Sequence, residues 1–176
     1  ILFVCTVAFI SNPQKLNITS KVDPALDKAI SQMILDEVDP TYFCAAEGHK
    51  IFGTSQNGDE LTVYGYMSFN AYNFVNGCLT DYGNGGHNPF VATFWNKDGF
   101  YKLKEVKYPQ DGMGYGDSIR EMFPAEFERK ALYPYDYLDE LQKQEFSQAE
   151  AALKEAGISC KVADYNDFDR VYIPDE

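Results

Sequence analysis

Two histidines are the only imidazoles in the chain: His49 in Glu47-Gly48-His49-Lys50, and His87 in Gly85-Gly86-His87-Asn88-Pro89. Beside a carboxylate either could act as a general base, and together they could begin a metal site. A zinc site needs three or four ligands, and the four cysteines (Cys5, Cys44, Cys78, Cys160) include no CxxC pair to complete one. No metal and no other cofactor is therefore expected, and structural or surface roles for the histidines outweigh a ligand pair. Neither G-x-S-x-G nor H-E-x-x-H occurs, and no Ser–His–Asp set can be assigned. The acidic run Asp164, Asn166, Asp167, Asp169 lacks the central glycine and late glutamate of a calcium loop, so a solvated acidic loop is expected.

The stretch YPQDGMGYGDSIREMFP (108–124) spaces Gly112, Gly114 and Gly116 like a phosphate-cradling loop. Such a loop wants a lysine beside its glycines and a parallel βαβ unit around them, and Asp111 and Asp117 bring the wrong charge. The glycines read instead as turn residues, at least one with positive φ. Ser118 and Glu121 suggest a capping box opening a helix over 118–123.

The elements that must position these residues follow from pattern. The 176 residues suit one domain, and a 45% apolar, 15% aromatic composition suits a sheet with a substantial core. A net charge of −12, with no basic run to offset it, argues against nucleic acid as a partner. The opening ILFVCTVAFI (1–10) is wholly apolar, and it is expected to be the end of a membrane helix or a signal segment, followed by a linker over 11–22. Asp23-Pro24 marks a helix start, and Leu26, Ala29, Ile30, Met33 and Ile34 give it one apolar stripe.

Strands are predicted over 42–54 and 60–75, joined at Asn57-Gly58, and over 90–96 and 100–108, joined at Lys97-Asp98-Gly99. In the second strand Val63, Met67 and Phe69 alternate with Tyr64, Tyr66 and Tyr72. The first set is expected to meet the N-terminal helix, and the tyrosine set could line a binding surface, although a terminal helix or loop more often covers such a face. The Asn57-Gly58 turn places Cys44 opposite Ala71, which leaves Cys78 about 24 Å away along the strand, so reduced cysteines are expected. Helices are predicted from Pro124 to Leu132 and from about Tyr135 to Ala156, ended by Gly157, with short strands over 158–163 and 171–173.

The blocks EGHKIFGT (47–54), DELTVYGYMSFNAYNF (59–74), GGHNPFVATF (85–94), YPQDGMGYGDSIREMFP (108–124) and ALYPYDYLDEL (131–141) resemble one family. It is the uncharacterised C-terminal extracytoplasmic domain of Firmicutes membrane proteins of the beta-lactam-sensor, antirepressor-cleaving zinc-peptidase type. The similarity covers roughly residues 1–141, and the tail from about Ile158 departs from it. It implies a place outside the cytoplasmic membrane, with any peptidase upstream of this chain, and it carries no assigned catalytic or binding residues.

Residues and resemblance together predict an α+β fold: an N-terminal helix packed on a curved four-stranded antiparallel meander, then C-terminal helices, in a single domain over 23–176. The expected role is sensing or interaction without catalysis, membrane-anchored or secreted. Its partner would be the membrane part of the parent protein or a small extracellular ligand. His49, Tyr64, Tyr66, Tyr72 and His87 are the candidate ligand-binding residues. The alternatives are a hydrolase using His49 or His87 with carboxylates, and a structural cap.

Overall fold

A computed structural model describes residues 15–17, 22–75, 77–81 and 84–163. The apolar segment 1–10 with Cys5, the acidic run 164–169 and the predicted strand 171–173 lie outside the described residues. No helix among the described residues is long and apolar enough to cross a membrane.

The fold is α+β, with seven strands in one largely antiparallel sheet. In chain order the elements are β1 (Lys15–Asn17), α1 (Pro24–Leu35), β2 (Cys44–Asn57), β3 (Glu60–Val75), β4 (Cys78–Asp81), β5 (Gly86–Lys97), β6 (Phe100–Lys107), α2 (Tyr115–Met122), α3 (Ala125–Leu132), α4 (Leu138–Glu155) and β7 (Val162–Ala163). The four predicted strands are β2, β3, β5 and β6, and they lie side by side in that order. The sheet is wider than the predicted meander. β1 adds to β2 within the expected linker, β4 folds back on the end of β3, and β7 joins β4 in parallel.

Local chemistry accounts for the boundaries. The Asp23 carboxylate accepts from the backbone N–H of Ala25 and caps α1, with Pro24 at the first helical position. The β2–β3 turn sits one residue later than the Asn-Gly pair suggests: Asn57 pairs with Glu60, and Gly58 carries the positive φ of 59°. A bulge between Ile51 and Gly53 then returns one residue of register, so Cys44 faces Tyr72 instead of Ala71. Asp98 and Gly99 both have positive φ, 54° and 80°, as the Asp-Gly turn requires. Because β4 doubles back, Cys78 pairs with Val75 instead of lying far along a continuing strand, yet Cys44, Cys78 and Cys160 are all free thiols.

The capping box is not formed. Tyr115 opens α2, and Ser118 lies buried inside the helix, donating to the Tyr115 carbonyl at 2.8 Å and accepting from the backbone N–H of Gln110 at 3.0 Å. A turn at Gly112–Gly114 runs directly into α2, so the helix begins before Ser118 and leaves it no cap position. Gly112 has a φ of 73°, whereas Gly114 and Gly116 do not need positive φ.

Helices cover both faces of the sheet. On one, Leu26, Ile30, Met33 and Ile34 of α1 pack on Leu61, Val63, Met67, Phe90, Ala92 and Phe94, with Phe69 at the margin. On the other, α2, α3 and α4 bring Ile119, Phe123, Phe127, Ala131 and Leu141 onto Phe52, Tyr64 and Tyr66. Ala149 and Leu153 of α4 extend that layer over Ala46, Tyr72 and Leu79. The tyrosine face is therefore core and not an open surface.

Candidate functional site

The structure gives the five predicted site residues three different fates. Tyr64, Tyr66 and Tyr72 are buried, with Tyr66 only 2% exposed and Tyr72 1%. They fill the seam under the C-terminal helices because their rings supply area there. Tyr66 packs against the Tyr137 ring at 5.5 Å between centroids, and burial pushes its phenol well above the ordinary range.

His87 is exposed at the start of β5, its Nδ1 bonded to the Tyr66 hydroxyl at 2.7 Å and its ring stacked on the Tyr66 ring at 6.0 Å. His49 lies on the opposite face, against α1. The two imidazoles lie on opposite faces of the sheet and do not share a cleft.

His49 is held instead in a carboxylate clamp. Its Nδ1 meets Glu47 Oε2 at 2.9 Å and its Nε2 meets Asp27 Oδ1 at 3.2 Å. Residues 47 and 49 share a face because strand side chains repeat every second residue, and Asp27 arrives from the first turn of α1. Ser31, one turn further along α1, donates to Glu47 Oε1 at 2.7 Å. Burial disfavours the charge on each partner, but their mutual bond and attraction outweigh it, with further help from Asp27 for His49 and from Ser31 and Gln148 for Glu47. The imidazole pKa is raised and the Glu47 carboxyl is lowered.

An imidazolium with both N–H groups given to carboxylates has no free nitrogen to take a proton. The nearby hydroxyl of Ser31 bonds the carboxylate and not the ring, the reverse of a nucleophile–base pair. A cleft of about 870 Å³ opens over this clamp, walled by α1 and by Asp139, Glu140 and Lys143 of α4. Its chemistry is structural: it ties α1 to β2. No group of metal-ligating side chains with suitable geometry is present among the described residues.

α4 is fastened to the same stretch of β2 by side-chain amides acting as strand partners. Gln148 accepts from the Glu47 N–H at 3.1 Å and donates to its carbonyl at 2.8 Å, while Gln144 accepts from the His49 N–H at 3.2 Å. These bonds satisfy an edge that would otherwise be left exposed. Gly48 lies between them with the helix backbone against it. Glu145, next along α4, is buried with Oε2 accepting from Asn70 at 2.6 Å, and burial raises its carboxyl pKa.

The feature that looks outward lies next along β2, at its middle. A groove of about 710 Å³ runs between Lys50–Phe52 and the segment joining α3 to α4. Phe52 and Tyr137 form its floor, and Tyr137 is fixed by donating from its hydroxyl to the Lys130 carbonyl at 2.6 Å. Tyr133 and Tyr135 stand at the rim, 58% and 80% exposed. Lys130 lies 5.7 Å over the Phe52 ring, Lys50 is paired with Glu140, and Arg129 has no ion-pair partner among the described residues. Pro134 forces the turn that sets Tyr133 and Tyr135 outward before α4 begins. None of these lining residues is among the five candidates the sequence suggests, although three alternating tyrosines stand in Tyr133-Pro134-Tyr135-Asp136-Tyr137.

Fold and site together define an α+β sheet domain with helices on both faces and an aromatic, cationic groove between the middle of β2 and the α3–α4 connection. Against family models, curated proteins and solved structures alike, the chain finds no match.

Proposed function

We propose that this chain is a binding domain without chemistry of its own, and that the groove between β2 and the α3–α4 connection is its ligand site. One observation carries the reading: two large tyrosines stand in solvent over an apolar floor, beside an arginine with no ion-pair partner among the described residues. Exposed aromatic and arginine side chains around a depression are the composition of interface hot spots. The groove volume lies within the range of small-molecule sites. The clamp at His49 supports the same reading, because it leaves that imidazole no free nitrogen to act as a base.

The resemblance to the extracytoplasmic domain of Firmicutes membrane proteins, with the apolar residues 1–10, supports a place outside the membrane and a sensing or interaction role. The partner would then be a ligand in that compartment or the membrane part of the parent protein.

The test is amide chemical-shift mapping with a mixed set of anionic, aromatic and sugar fragments. Shifts should gather at residues 50–52 and 129–137. Shifts confined to the cleft around His49, with ester or peptide hydrolysis abolished by His49→Gln, would replace the binding reading with the hydrolase.

A further inference from the structure

The groove's lining restricts its ligand, given that the groove is the binding site. A net charge of −12 works against the binding of acidic molecules in general. At this groove the sign changes locally: Lys50, Arg129 and Lys130 face a single lining carboxylate, Asp136. Glu140 neutralises Lys50 from the side, at 2.7 Å, which leaves Arg129 and Lys130. Arg129 offers a planar fork of donors suited to a carboxylate, and no described residue occupies it.

The rest of the lining is apolar or aromatic: Ile51, Phe52, Tyr133, Tyr135 and Tyr137. No serine, threonine, asparagine or glutamine lines it. A glycan would bring many hydroxyls and find, beyond the Tyr133 and Tyr135 phenols and the charged side chains, no amide or aliphatic hydroxyl to pair them, and unpaired polar groups weaken binding. A peptide needs less, namely one apolar side chain on the Phe52–Tyr137 floor and one carboxylate on the arginine. The exposed Tyr133 and Tyr135 rings offer contact area beside its backbone.

We propose that the groove binds a peptide segment in which an aspartate or glutamate stands next to an aromatic or large aliphatic residue. The charge complementarity with Arg129 and Lys130 selects the acid, and the aromatic floor selects its neighbour.

The probe is an array of random-sequence decapeptides, with an oligosaccharide array in parallel, each exposed to the labelled wild-type domain and to Arg129→Glu. Arg129 is exposed, so the variant should fold, and its melting curve checks this. Wild-type binders should be enriched in Asp or Glu beside Phe, Tyr or Leu. Their affinity for Arg129→Glu should fall at least tenfold, and exchanging the peptide's acid for lysine should recover binding to that variant. Binders without acidic residues, or an affinity indifferent to Arg129→Glu, would overturn the proposed ligand. Oligosaccharides binding in a manner lost with Tyr135→Ala would also overturn it while leaving the groove as a site. Binding from neither array would count against the site as well as its ligand.

Discussion

Replacing Gly48 by alanine probes how closely α4 is seated on the sheet. A Cβ built on Gly48 falls 2.4 Å from the Leu141 carbonyl oxygen, 2.8 Å from its Cα and 2.9 Å from its carbonyl carbon. All three are backbone atoms, so no side chain can swing aside. Carbon contacts are ordinarily about 3.5 Å or more, so the helix must retreat by about 1 Å. Overpacking of this kind costs about 1–3 kcal/mol. The retreat also stretches the Gln144 and Gln148 bonds to β2, which are short of slack at 2.8–3.2 Å. Each such bond contributes about 1 kcal/mol. Strain and bond loss partly substitute for one another, because a helix that moves relieves the clash, so a total of about 3–5 kcal/mol is expected. With a urea dependence of about 2 kcal/mol per molar, the unfolding midpoint should drop by about 2 M. A loss below about 1 kcal/mol would refute the close seating of α4 and the role given to the two glutamines.

The clamp predicts a pH dependence. The raised His49 pKa contributes stability that is complete below its unfolded value near 6.5 and is lost as pH rises through the folded value. The lowered Glu47 pKa contributes stability present above about 4.5 and lost as pH falls through its folded value. Urea titrations should therefore show a maximum between these limits, and His49→Gln should flatten the decline above pH 6.5; an unchanged slope there counts against the clamp. Glu47→Ala removes one partner of a buried pair and should cost about 3–5 kcal/mol by the same melts. In the glycine-rich stretch, Gly112→Ala should cost about 1 kcal/mol for its positive φ, whereas Gly116→Ala, within α2, should be neutral or stabilising by up to about 1 kcal/mol. Neither midpoint should respond to ATP or GTP, and a nucleotide-dependent rise would return the phosphate-loop reading.

Much of the fold is written in local chemistry. The Asp23-Pro24 cap, the Asp98-Gly99 turn and the alternation of Val63, Met67 and Phe69 each act within a few residues, and each appears in the structure where the sequence predicts it. The strand register was less legible because two local effects oppose one another. The turn shifts to Gly58-Asp59, and the bulge at Ile51–Gly53 reverses half of that shift. β4 and β7 were obscure because four- and two-residue strands carry too little alternation to recognise.

The tyrosine face illustrates a different limit. Tyrosine suits both a binding surface and a core, and only the arrival of α2–α4 decides between them. Part of that decision rests on Glu145, a buried carboxyl on the inner stripe of α4 that no hydrophobic pattern would select. The groove was hidden for the same reason, since Phe52 and Tyr137 become neighbours only once β2 and the α3–α4 connection are packed together.

The central claim is that the rim tyrosines serve binding and not folding. The most direct measurement takes one protein, the Tyr133→Ala, Tyr135→Ala double variant, through both a urea melt and the fragment-shift experiment. Residues as exposed as these should leave stability within about 0.5 kcal/mol each. The account predicts an unchanged unfolding midpoint together with the disappearance of ligand-induced shifts at residues 50–52 and 129–137. A fallen midpoint with those shifts intact would show that the tyrosines support the fold and that the groove is not where this protein binds.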